Sequence, residues 1–61
     1  MNEKIFSTTI AGMEISLTRK TKHTFIVQYW LQKEIAYDYD EAAEKLGYCI
    51  MHALQCEGKL D

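Results

Sequence analysis

Residues 13–20 alternate without interruption: Met13, Ile15 and Leu17 fall on one side of an extended chain, and Glu14, Ser16, Thr18 and Lys20 on the other. A period of two marks a half-buried strand. Residues 4–11 are rich in β-branched and aromatic types and predict a strand before it. Ala11-Gly12, between the two, reads as a two-residue hairpin turn. That turn pairs Ile10 with Met13, Thr8 with Ile15, and Phe6 with Leu17, and directly opposed residues share a face. Phe6, Ile10, Met13, Ile15 and Leu17 then collect on one side. Ser7, Thr9, Glu14, Ser16 and Thr18 collect on the other. A slip of one residue destroys this sorting, so the pattern itself sets the register.

Residues 24–32 predict a third strand with Phe25, Val27, Tyr29 and Leu31 facing inward. Alternation then sends Ile26, Gln28 and Trp30 to the opposite face. The preceding turn, Thr21-Lys22-His23, contains no glycine. Residues 34–37 extend the pattern far enough for a short fourth strand, with Ile35 and Tyr37 on one side.

The periodicity then changes. Over residues 39–57, Ala42, Ala43, Leu46, Cys49, Ile50, Ala53 and Leu54 fall in one sector at 100° per residue, the stripe of an amphipathic helix. Tyr48, Met51, His52 and Gln55 lie opposite or at its margins. Asp38 or Asp40 supplies the N-cap, and Asp38 with Glu41 resembles a capping box. An acidic first turn suits the positive end of the helix dipole. Gly47 costs roughly 1 kcal/mol against alanine inside a helix. The stripe stays in phase through it, so a single helix is expected, with the bare glycine allowing close approach to the sheet. Gly58 sits where a left-handed cap belongs.

The expected fold is therefore α+β: a three-stranded antiparallel meander, four-stranded if residues 34–37 join it, followed by one C-terminal helix packed on one sheet face. A chain of 61 residues makes one domain at most. Hydrophobic residues make up 48%, which excludes intrinsic disorder. No apolar run approaches the roughly 20 residues that span a bilayer. The N-terminus lacks the long apolar segment of a secretory signal. With two cysteines only, a cytoplasmic chain with reduced thiols is expected, with no membrane partner.

The chemistry-bearing residues are few. Cys49, His52 and Cys56 spell C-x2-H-x3-C. Seven residues of helix place the two cysteines about 10.5 Å apart along the axis. Two sulfurs on one zinc lie within about 4.6 Å of each other, so the pair cannot close on one metal. A disulfide fails for the same reason. No metal or other cofactor is expected. Nor is there a phosphate loop or a nucleophile elbow, and neither His23 nor His52 has a placed catalytic partner. The chain reads as a non-enzyme.

Net charge is −2, a weak pull toward nucleic acid. The basic run Arg19, Lys20, Lys22 and His23, with the exposed sheet face beside it, is the one nucleic-acid candidate. The leading reading is protein binding or self-association, with nucleic-acid binding as its alternative. One helix covers one sheet face, so Ile26, Gln28 and Trp30 are expected on the bare side, and an outward Trp beside an Ile wants a partner. Tyr48 and His52 on the outer side of the helix make a second candidate surface. A chain of this size suits a homodimeric regulator, or an inhibitor of a larger protein, of the sort that mobile elements carry.

Overall fold

Four strands precede one helix: β1 (Glu3–Ile10), β2 (Met13–Arg19), β3 (Phe25–Tyr29), β4 (Gln32–Ala36) and α1 (Tyr39–Cys56). They are seen in a computed structural model that describes residues 2–59. The strands form one sheet in the order β1-β2-β3-β4, every neighbouring pair antiparallel. The fold is α+β, with the fourth strand present.

The first hairpin has the register that its apolar pattern demands: Ile10 opposite Met13, Thr8 opposite Ile15, Phe6 opposite Leu17. Its turn places Ala11 at φ 55° and Gly12 at φ 77°. Positive φ at both central residues matches the strand twist, at a steric cost for alanine that glycine escapes. The Ala11 N–H donates to Glu57 Oε2 at 2.9 Å, so the end of α1 holds this turn. Towards the other end of β1 the register shifts between Lys4 and Phe6. Ile5 is thereby displaced from simple alternation and lines a cleft on the helix side with Leu17, Phe25 and Leu46.

The third strand is shorter than its pattern suggests. It stops at Tyr29, and the chain reverses through Trp30 and Leu31 into β4. Trp30 takes φ 56°, and its N–H still donates to the Glu14 carbonyl at 2.7 Å. Leu31, expected inward, is 80% exposed at the tip of the turn.

Asp38 caps α1 from an extended backbone, its Oδ1 accepting the Glu41 N–H at 2.7 Å. Glu41 reaches back to the Tyr37 N–H, also at 2.7 Å, one residue beyond the usual capping box. At the other end, Lys59 N–H donates to the Leu54 carbonyl and Gly58 N–H to that of Gln55. With Gly58 at φ 82°, this is the Schellman motif.

Small residues set the packing. The buried helix positions are Ala42, Cys49 and Ala53, and small side chains let a helix settle close to a sheet. Ala53 and Cys49 meet Ile15 and Val27, the two largest fully buried side chains, under the second half of α1. Ala42 meets Phe25 and Ala36 under the first half. Leu17 packs against both groups. Ala43, expected in the buried stripe, is exposed at its margin.

Gly47 does not serve close approach. A Cβ placed on it meets nothing within 4 Å. Gly47→Ala is therefore expected to stabilise the fold by about 1 kcal/mol, the intrinsic helix-propensity gain. Chemical denaturation reads this directly, and a loss of stability would mean that space at residue 47 is needed.

Candidate functional site

The aromatic residues of β3 and α1 converge. Tyr29 is the last residue of β3 on the helix-facing side, in register with Ile15. Its hydroxyl lies 2.9 Å from His52 Nδ1. The same two rings meet edge to face, with centroids 5.8 Å apart and an interplanar angle of 81°. Tyr48, one helical turn before His52, stacks on the other side of that imidazole at 6.1 Å and 15°. Helical spacing explains the stack, because residues four apart are neighbours on one face. Trp30 extends the row: with Met13, Tyr29, Gln32, His52 and Cys56 it lines a cleft of about 300 Å³. A second hollow, about 210 Å³, runs under Tyr48 and His52 towards Val27, Gln32, Glu34 and Cys49.

The result is a ledge of Trp30, Tyr29, His52 and Tyr48 along the groove between the β3–β4 turn and the helix. It is open to solvent: Trp30 is 58% exposed and Tyr48 71%. Met51 and Leu31 add exposed apolar surface on the same two elements. Its charges are sparse. Glu34 pairs with Lys45 at 3.7 Å, a surface ion pair that contributes at most about 1 kcal/mol.

Burial of its surroundings and the nearby cysteines push the Tyr29 phenol above its ordinary value. The hydroxyl and His52 Nδ1 share a hydrogen bond whose donor is set by the imidazole tautomer. Burial raises the Cys49 thiol as well, with Glu34 adding to the effect and Lys45 opposing it. Both shifts have one consequence for stability. In the unfolded chain these groups ionise at their ordinary values, 9.0 for the thiol and 10.0 for the phenol; in the fold they do so only at higher pH. Stability is expected to hold below about pH 9 and to fall as pH rises beyond it. Alkaline denaturation followed by circular dichroism checks the sign.

The structure joins two candidate surfaces and separates the rest. Trp30 does not share the outer face with Ile26 and Gln28. Alternation lapses where the left-handed backbone begins, and Trp30 joins Tyr48 and His52 on the helix side. Ile26 and Gln28 remain opposite, half-buried, beside Ile35 and Lys33 of β4. Gln28 still touches the turn, its Nε2 donating to the Trp30 carbonyl at 3.2 Å. The basic run lies at the far end of the sheet, where β2 gives way to β3. Lys20, Lys22 and His23 are exposed there, while the Arg19 guanidinium sits 5.6 Å above the Phe25 ring. The alternation pattern alone places Tyr29 and Met13 in the core. The one signal that marked Tyr29 for the site is its polar hydroxyl at a strand end.

Cys49 is buried and Cys56 exposed, both as free thiols. Cys56 Sγ lies 3.9 Å from His52 Nδ1. Among the described residues no group of three or more His, Cys, Asp or Glu is placed to hold a metal ion. Alkylation of the native protein is expected to label Cys56 and spare Cys49, since a buried protonated thiol is a poor nucleophile. Intact-mass spectrometry should show one adduct, and equal labelling would contradict the packing of Cys49 against Ile15 and Ala53. Among the described residues no helix is long and apolar enough to cross a membrane.

Comparison with known proteins gives no match: no family model, no curated protein and no solved structure resembles the chain closely enough to report.

Proposed function

We propose that this chain is a small non-enzymatic protein-binding module, a regulator or inhibitor of a larger protein, whose contact surface is the ledge of Trp30, Tyr29, His52 and Tyr48. One observation carries the reading: Tyr29 of β3, Trp30 of the turn after it, and Tyr48 and His52 of α1 stand in one row, and all but the half-buried Tyr29 are exposed. Trp and Tyr dominate the energetics of protein interfaces, because a large rigid ring buries much area at little entropic cost. The two hollows beside the ledge receive side chains of a partner rather than a metabolite. At about 210 and 300 Å³ they lie at or below the lower bound for small-molecule pockets.

The test is affinity capture with the wild-type chain, with Trp30→Gly and with Tyr48→Ala, followed by mass spectrometry. A protein retained by the wild type and lost with both variants is the expected result. Solution mass measured on the same three proteins separates a foreign partner from a second copy. Partners that survive both substitutions would move the contact elsewhere on the molecule.

A further inference from the structure

A second cleft lies on the other side of the helix. Ile5, Leu17, Phe25, Tyr39, Ala43 and Leu46 enclose about 220 Å³ between β1 and the first half of α1, and one charged side chain, Arg19, stands at its wall. The cleft exists because α1 lies over β2, β3 and β4 more than over β1. The shift in the β1 register turns Ile5 into it, and Ile5 is left 46% exposed. The guanidinium is held over the Phe25 ring rather than by a carboxylate. Among the described residues Arg19 has no ion-pair partner, although Glu3 stands opposite it in the strand register. An apolar cavity with a single unneutralised cation at its wall is complementary to an apolar group that carries one negative charge.

We infer that this cleft binds the C-terminus of an extended peptide, its last apolar side chain among Ile5, Leu17 and Leu46 and its carboxylate on Arg19. The volume favours one side chain and a carboxylate, being smaller than pockets that enclose a whole small molecule. The neighbouring β1 is an edge strand, so its outward backbone groups have no partner strand within the molecule. A peptide can hydrogen-bond to them; an alkyl carboxylate of the same charge cannot. The irregularity at Ile5 interrupts long strand addition, as bulges do on sheet edges, and leaves room for a short terminal segment. Lys20 and Lys22 follow Arg19 and add to the anion attraction at that end, and Glu3 opposes it.

The experiment uses the 61-residue chain and a fluorescein-labelled pentapeptide ending in leucine, as the free acid and as the C-terminal amide. Anisotropy should show the acid binding about tenfold or more tightly than the amide, the scale of one charge-assisted contact. Arg19→Gln should bring the acid down to the amide, and Glu3→Gln should tighten the acid. Ala43→Trp, a change at an exposed helix position that fills the cleft, should abolish binding of both while the circular dichroism spectrum stays that of the wild type. Equal affinity for acid and amide, binding that survives Ala43→Trp, or binding of decanoate without binding of the peptide would overturn the assignment. None of these results bears on the Trp30 ledge, which lies on the other flank of the helix.

Discussion

Ile15→Ala is expected to remove a large part of the stability of this fold and to lower its urea midpoint sharply. Ile15 is fully buried between Val27, Cys49 and Ala53. Stripping a buried isoleucine to alanine costs about 2–5 kcal/mol, the upper end where the surroundings cannot collapse. Collapse is hard here. Thr8 and Tyr29 fix the strand on either side through the register, and the helix residues above it are already small. Stability of about 0.05–0.15 kcal/mol per residue gives a 61-residue chain roughly 3–9 kcal/mol in all. The loss is therefore a large share of what holds the fold, and its upper end exceeds the lower end of that range. Ile15→Val, at about 0.5–1.5 kcal/mol, should fold and unfold at lower denaturant. Urea titration followed by circular dichroism distinguishes the two. An Ile15→Ala protein with a cooperative transition near that of the wild type would show that the core does not centre on this residue.

The parts of this fold that were legible are those where two independent patterns agree. The β1–β2 register follows from Met13, Ile15 and Leu17 alternating against Phe6 and Ile10 about a turn that contains Gly12, and the structure has that register. The helix is specified three times over, by its stripe, by Asp38 and by Gly58. What the sequence hides is local departure from regularity. The shift at Ile5 has no marker, because Lys4-Ile5-Phe6 reads the same with or without it. The β3–β4 turn has the wrong chemistry for its conformation: a two-residue hairpin with positive φ ordinarily takes Gly, Asn or Asp, and here a tryptophan occupies that position. Tyr29-Trp30-Leu31-Gln32 accordingly reads as more strand, and Trp30 falls on the wrong face of the sheet by one missed reversal.

The same misfit bears on function. A residue held at φ 56° without the freedom of glycine costs the fold about 1 kcal/mol, and strained positions concentrate at sites where something is presented. The sequence pattern puts Trp30 with Ile26 and apart from Tyr48; the turn brings it instead to the cleft it shares with His52, on which Tyr48 stacks. One candidate ledge takes the place of two separate candidate surfaces.

Trp30→Gly and Trp30→Ala should therefore part company on stability and agree on binding. Glycine adopts φ 56° freely, so Trp30→Gly is expected to be more stable than Trp30→Ala by about 0.4–1 kcal/mol, even though glycine also gains entropy in the unfolded chain. Both remove the largest ring of the ledge. A central interface tryptophan is commonly worth 2 kcal/mol or more, which is a loss of about thirtyfold in affinity or greater. Thermal or urea unfolding gives the first comparison, and titration of the captured partner gives the second. Stability alone cannot explain a binding loss that is shared by the more stable and the less stable variant, so the pair separates contact from folding. If Trp30→Gly keeps wild-type affinity, the ledge is packing and the partner sits elsewhere. If the two variants unfold together, the backbone at residue 30 carries no strain, and its left-handed turn tolerates any side chain the surface requires.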